Sequence, residues 1–113
     1  MKYLACAFTF IMIIVMAQLS FSEDKTVKDF SLPSASDGKL IRLSDYSGKV
    51  VLINWWRTSC GFSKREAPKL VELYKKYRGQ GLEILGVSDD TSDTVAQIPA
   101  YLKQYNVTWP IGL

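Results

Sequence analysis

The sequence predicts an α/β domain built on a parallel sheet, and three observations carry that reading. Two runs of β-forming apolar residues, Val50 to Trp56 and Leu82 to Ser88, flank a segment with helical periodicity. A second helical pattern follows them, and Asn106 to Ile111 opens a further apolar segment. Strand, helix, strand, helix and strand in succession need crossover connections, which lay the strands side by side and cover the sheet with helices. With 113 residues there is room for one such domain.

The first 22 residues stand apart from it. Lys2 precedes an apolar run from Tyr3 to Leu19 that only Thr9 and Gln18 interrupt, and small and polar residues follow. This order describes a secretory signal peptide over residues 1–22, ahead of a domain over 23–113. Ser20 and Ser22 suit cleavage before Glu23, and Val15 and Ala17 suit cleavage before Gln18. The alternative is an uncleaved membrane anchor, for which the run falls short of the ~20 residues a spanning helix needs. Cys6 lies too near the start to follow a full signal core, which argues against lipid attachment there. The expected location is therefore exported, periplasmic or secreted, with no stable membrane insertion after cleavage.

Within the domain, Val27 to Leu32 reads as an edge strand ending at Pro33. Ser34 to Lys39, with Asp37-Gly38 favouring positive φ, supplies a turn, and Leu40 to Leu43 the return arm of a hairpin. Ser44 to Gly48 forms a second turn. Val50 to Trp56 is nearly continuous in apolar β-formers, as in a central strand buried on both faces. After Cys60 a helix places Leu70, Leu73, Tyr74 and Tyr77 on one apolar face, with Lys69, Lys75, Lys76 and Arg78 opposite. Pro68 is expected to kink or restart that helix, and Gly79-Gln80-Gly81 to end it. Leu82 to Ser88 is the next strand, and Asp89 to Asp93 offers caps to a helix with Val95, Ile98, Leu102 and Tyr105 on one face. Pro99 interrupts that helix or begins its second half.

Charge and composition exclude several functions. Lys2 is the only charge in the leader, so the domain carries one positive charge fewer than the +3 of the whole chain. Basic residues are interspersed with acidic ones, which gives no nucleic-acid footprint. Histidine is absent, which removes Cys–His proteolytic chemistry and most zinc sites; no metal or cofactor is expected. Beyond the leader Cys60 is the single cysteine. In an oxidising compartment it is reactive, joined to a partner, or buried.

Taken together, Val27 to Pro33, Asp37-Gly38-Lys39 with Leu43-Ser44-Asp45, Gly48 to Trp56, Cys60 with Glu66 and Pro68, Leu85 to Ser88, and Tyr105 to Pro110 resemble the thioredoxin-like superfamily. The likeness is to exported thiol-disulfide oxidoreductases of the TlpA/ResA type and the wider redoxin group. It implies a thioredoxin-like fold with an N-terminal β-hairpin extension and a central mixed sheet flanked by helices. It also implies exchange with protein thiols or disulfides. The departures are concentrated at the site. The family pattern is Trp-Ala-Thr-Trp-Cys-x-x-Cys, often with Pro before the second Cys. Here Arg57 replaces the small residue, Ser59 the second Trp, Phe62 the Pro and Ser63 the second Cys. The family also carries a cis-proline on a later strand facing the sulfur. Pro110 belongs to an earlier segment, so the chain resembles the first two-thirds of the domain, its C-terminal part missing.

The candidate catalytic residues are Cys60, a nucleophile at a strand-to-helix junction where helix amides favour a thiolate, and Ser63, a hydrogen-bond donor to the sulfur. Arg57, Lys64 and Arg65 are near enough in sequence to add favourable charge. Ser63 cannot release a mixed disulfide, a step that needs a second thiolate, so an external thiol reductant is the implied partner. Phe62 and Trp56 are the candidate substrate-binding residues. Of Trp55 and Trp56 at least one belongs to the core, because adjacent strand residues point to opposite faces; Tyr74 and Tyr77 belong there too. Two alternatives stand beside the monothiol enzyme. One is a redox-inactive binding module or truncated remnant. The other is a peroxiredoxin-like peroxidase, which needs a Thr or Ser three residues and a Pro seven residues before the cysteine, where this chain has Arg57 and Ile53.

Overall fold

A computed structural model describes residues 26–92 and 94–113; the expected signal peptide, its expected cleavage sites and Asp93 lie outside the described residues. Strands β1 (Ser31–Pro33) and β2 (Leu40–Arg42) form the hairpin, then come β3 (Val50–Trp56), helix α1 (Gly61–Tyr77), β4 (Leu82–Ser88), helix α2 (Ile98–Tyr105) and β5 (Ile111–Gly112). The three long-range strands pair in the order β3-β4-β5, all parallel. The hairpin joins β5 through an antiparallel bridge between Ser34 and Gly112. The Ala35 amide donates to the Ile111 carbonyl at 2.8 Å and the Leu113 amide to the Pro33 carbonyl at 3.0 Å on either side of it. The assembly is thus mixed, as expected, with the parallel ladder at its centre.

Both helices lie on one face of this sheet. Asn54 and Trp56, two apart on β3, share a face; Asn54 Nδ2 donates to Glu66 of α1 at 3.2 Å, and the Trp56 ring stacks on Tyr101 of α2 at 4.5 Å. Ala67, Leu70, Val71, Tyr74, Ile84, Ile98, Trp109 and Ile111 close the core between helices and strands. Tyr74 meets Trp109 edge-on at 5.6 Å, the geometry that the ring quadrupoles favour.

Several boundaries differ from the sequence reading. Strand β1 begins at Ser31 and includes Pro33, a residue tolerated because so short an edge strand asks for few ladder donors. Leu43–Tyr46 is a turn of 3-10 helix, closed by Asp45 accepting from the Arg42 amide at 3.2 Å. Strand β3 is not the fully buried centre. It forms one edge of the described sheet, and Val50, Ile53 and Trp55 are exposed, whereas Ile84 and Leu85 of β4 are wholly buried. Helix α1 does not restart at Pro68; Lys64 and Pro68 are both exposed, so the carbonyl that loses its donor is open to water. Its buried stripe is Ser63, Ala67, Leu70, Val71 and Tyr74, with Leu73 and Tyr77 half-buried beside it. Gly81, at φ 95°, ends the helical segment in the left-handed conformation glycine permits. Pro99 opens α2 rather than interrupting it.

The hairpin is seated by close contact. A Cβ added at Gly112 would lie 2.7 Å from Leu32 Cβ, an atom fixed to its own backbone. Gly112→Ala is therefore expected to push the hairpin off β5 and to lower stability by about 1–3 kcal/mol, the usual cost of overpacking. Chemical denaturation of the variant checks this.

Candidate functional site

Cys60 caps α1. Its backbone is extended (φ −80°, ψ 119°), and its carbonyl accepts the first helical bond, from the Lys64 amide at 3.1 Å. Its own amide donates to the Arg57 carbonyl at 3.1 Å, so a tight turn joins strand and helix. The thiol is half-buried and makes no regular capping hydrogen bond. The groups that face the sulfur nevertheless hold its pKa below that of an ordinary cysteine. The Ser63 amide contributes most, then the Ser63 hydroxyl and the Phe62 amide; partial burial opposes them, and the Arg57 charge adds a smaller favourable part. These are the donors a helix start leaves free, and the first turn of α1 contains no acid to offset them.

Ser63 is buried at 7% exposure on the core stripe of α1 and lines the same cleft as Cys60. Phe62 is 78% exposed, with the Arg65 guanidinium 4.5 Å over its ring. Arg65 thus turns toward the ring, and Lys64 is exposed. Trp56 is a core residue at 6% exposure, its Nε1 buried without a partner among the described residues. The exposed tryptophan is Trp55, at 70%, pointing away from the helices. Strand alternation separates the two rings but does not by itself say which is outward.

A cleft of about 470 Å³ opens beside the sulfur, lined by Trp55, Trp56, Arg57, Ser59, Cys60, Ser63 and Asp89. Trp56 contributes only part of its floor, and Phe62 lies outside it. A larger cleft of about 570 Å³ runs between the hairpin and α2 and does not include Cys60. Since Cys60 is the candidate nucleophile, the smaller cleft defines the candidate site.

Sequence reasoning missed the acids beside this cleft. Asp89 and Asp90 were expected to cap the next helix. The N-cap positions fall instead to Thr94, ahead of a 3-10 turn over Val95–Gln97, and to Gln97, ahead of α2, neither with a side-chain capping bond. Asp89 instead pairs with Arg57, and Asp90 accepts from Thr58 and Ser88. Burial raises the Asp90 pKa, but these hydrogen bonds outweigh it and hold the carboxyl below its usual range. The β3–β4 register, which brings the two strand ends together, was the signal needed, and a single sequence does not display it.

Fold and site together define a redoxin: an α/β domain presenting one cysteine at the start of the helix that follows the first strand of its parallel ladder. The chain belongs to the AhpC/TSA family, whose profile matches residues 24–113. It is 36% identical over 77 residues to the thiol-disulfide oxidoreductase ResA of Bacillus thuringiensis subsp. konkukian, covering 68% of this chain and 43% of that protein. ResA of Bacillus subtilis is 35% identical over 94 residues, covering 83% and 51%. The chain thus spans about half the length of the curated relatives it matches. Among solved structures, the thioredoxin domain of a Bacteroides vulgatus thiol-disulfide oxidoreductase superposes with a TM-score of 0.68 at 23% identity, over 83% of this chain and 65% of that one. A thiol:disulfide interchange protein from a Bacteroides species gives 0.67 at 24%, over 77% and 55%. The fold is thioredoxin-like.

Replacing Ser63 by Ala removes the hydroxyl while leaving the Ser63 backbone amide in place. Loss of one donor raises the Cys60 pKa, so its curve of alkylation rate against pH moves to higher pH. With Cys6→Ser in the background so that Cys60 is the only thiol, the rate with iodoacetamide at pH 6.5 is expected to fall roughly two- to fivefold, because a shift of one pKa unit changes the thiolate fraction tenfold below the midpoint.

Proposed function

We propose that this chain carries out thiol–disulfide exchange on protein thiols or disulfides, with Cys60 as sole nucleophile and an external thiol as the resolving partner. The observation that carries the reading is the sulfur at the N-cap of α1, held toward the thiolate by the Ser63 and Phe62 amides and the Ser63 hydroxyl. A free thiol at pKa ~8.5 is mostly protonated at neutral pH, so even a modest downward shift enlarges the attacking fraction.

The Cys60 thiolate attacks one sulfur of a substrate disulfide; a Cys60–substrate disulfide forms, the old S–S bond breaks, and the other substrate sulfur leaves as thiolate. Ser63 stands where an internal attacker would be, and a hydroxyl does not displace sulfur. A second thiolate from solution then attacks the mixed disulfide, regenerating the Cys60 thiolate and carrying the substrate away as a new disulfide. Trp55 and Phe62 are the exposed apolar rings beside the turn, suited to the flanks of a protein substrate; Trp56 supports the cleft floor. The signal-peptide pattern over residues 1–22 supports an exported location, and among the described residues no helix is long and apolar enough to cross a membrane.

The test follows the mixed disulfide by intact mass in a Cys6→Ser background after mixing with a disulfide-bonded peptide. The parent is expected to stay trapped as the adduct until a low-molecular-weight thiol is added. Ser63→Cys is expected to release the peptide unaided and to end with Cys60 joined to Cys at 63. Equal release from parent and variant contradicts the monothiol reading, and so does the absence of an adduct on the parent.

A further inference from the structure

Strands β3 and β4 end in register at Trp56 and Ser88, and the pairing continues beyond them in side chains. The next two residues, Arg57 and Asp89, meet in a two-pronged ion pair, Nε donating to Oδ1 at 2.8 Å and Nη2 to Oδ2 at 2.6 Å. The residues after those, Thr58 and Asp90, meet as well. The Asp90 carboxylate accepts from the Thr58 amide at 3.0 and 3.2 Å and from the Thr58 hydroxyl at 2.6 Å. The Ser88 hydroxyl donates to it at 2.7 Å, and the Asp90 amide returns a bond to Ser88 Oγ at 3.1 Å.

We infer that Asp90 is a positioning residue for Cys60, acting through Thr58 to hold the turn that sets the sulfur against the first amides of α1. This rests on the reading of Cys60 as nucleophile. Between Thr58 and Cys60 stands only Ser59, and the turn has a single backbone bond of its own, from the Cys60 amide to the Arg57 carbonyl. A turn so lightly tied depends on an outside anchor. Of the two side-chain links, the Arg57–Asp89 pair is about half exposed on both sides, where screening weakens it. Thr58 is 4% exposed and Ser88 6%, with Asp90 half-buried, so the Asp90 links are partly sheltered from water and charge-assisted. Asp90 is therefore the stronger anchor.

The charged and titratable groups around the turn are Arg57, Asp89 and Asp90 from the strand ends, Glu66 from α1 and Tyr101 from α2. Tyr101, which feels the charges of Cys60, Glu66 and Asp90, is pushed up to about 12, mainly by burial, and stays neutral through the range where a thiol titrates. The Asp90 charge gives the test its sign. Deleting that negative charge favours a nearby thiolate by Coulomb interaction alone and moves the thiol pKa down. Losing the anchor frees the sulfur from its amides and moves the pKa up.

The pH dependence of Cys60 alkylation by iodoacetamide is measured in the full chain carrying Cys6→Ser, for the parent and for Asp90→Asn, Thr58→Val and Thr58→Ser, with thermal unfolding of each. Asp90→Asn and Thr58→Val are expected to shift the curve to higher pH and to slow alkylation at pH 6.5 by roughly three- to tenfold. Thr58→Ser, which keeps the hydroxyl, is expected to stay within roughly twofold of the parent. If Asp90→Asn does not fold, Thr58→Val, which keeps both charge and volume, decides alone. An unmoved curve for folded Thr58→Val, or a shift to lower pH for Asp90→Asn, overturns the positioning role while leaving Cys60 the nucleophile. A parent curve centred at or above that of an ordinary thiol overturns the nucleophile reading and this inference with it.

Discussion

Seven residue pairs join β3 to β4, from Val50 with Leu82 to Trp56 with Ser88, and the site depends on where that parallel ladder stops. Parallel pairing sends both strands out of the same edge of the sheet, so the turn after Trp56 and the loop after Ser88 emerge side by side. Asp89 and Asp90 can then reach Arg57 and Thr58 without any long excursion. The turn held between them delivers Cys60 to the N-cap of α1, where unsatisfied amides wait. Had the register slipped by one residue, every β3 side chain would change faces. Trp56 would leave its stack on Tyr101, and Trp55 would enter the core in its place.

The electrostatics at the sulfur are a contest among small effects. Partial burial favours the neutral thiol, and the two amides with the Ser63 hydroxyl favour the thiolate and prevail. Ser63 therefore retains one of the two contributions a second cysteine would make. Its hydroxyl favours the thiolate, but it cannot become a nucleophile in its turn. Arg57, the most conspicuous departure from the family pattern, contributes less to the sulfur than its charge suggests. Its guanidinium is engaged by Asp89 across the strand ends, so it serves chiefly to tie the turn down.

Much of this was legible in the residues, and the exceptions have a common cause. The uninterrupted β-formers of Val50 to Trp56 and Leu82 to Ser88 announced two strands, and the Leu70, Tyr74 spacing announced a helix, because local periodicity encodes which face is buried. The placement of Cys60 and Ser63 at a helix start was legible because the strand-to-helix junction is itself local. What escaped was non-local. Nothing near Asp90 in sequence points to Thr58, which is far along the chain and adjacent only through the ladder. The same holds for the exposure of β3: an apolar run states that burial is favourable, but its position in the sheet order decides how much is obtained. Trp55 and Trp56 show both sides of this, since alternation predicts one ring in and one out, and only the placement of α2 decides which.

The account stands on Cys60 being a thiolate-favouring nucleophile, and ultraviolet absorbance at 240 nm reports that ionisation directly. Titrating the chain with Cys6→Ser, against the same chain also carrying Cys60→Ser as the blank, isolates the one thiol that matters. The account predicts a midpoint below the ~8.5 of a free cysteine. A midpoint at or above that value would contradict it.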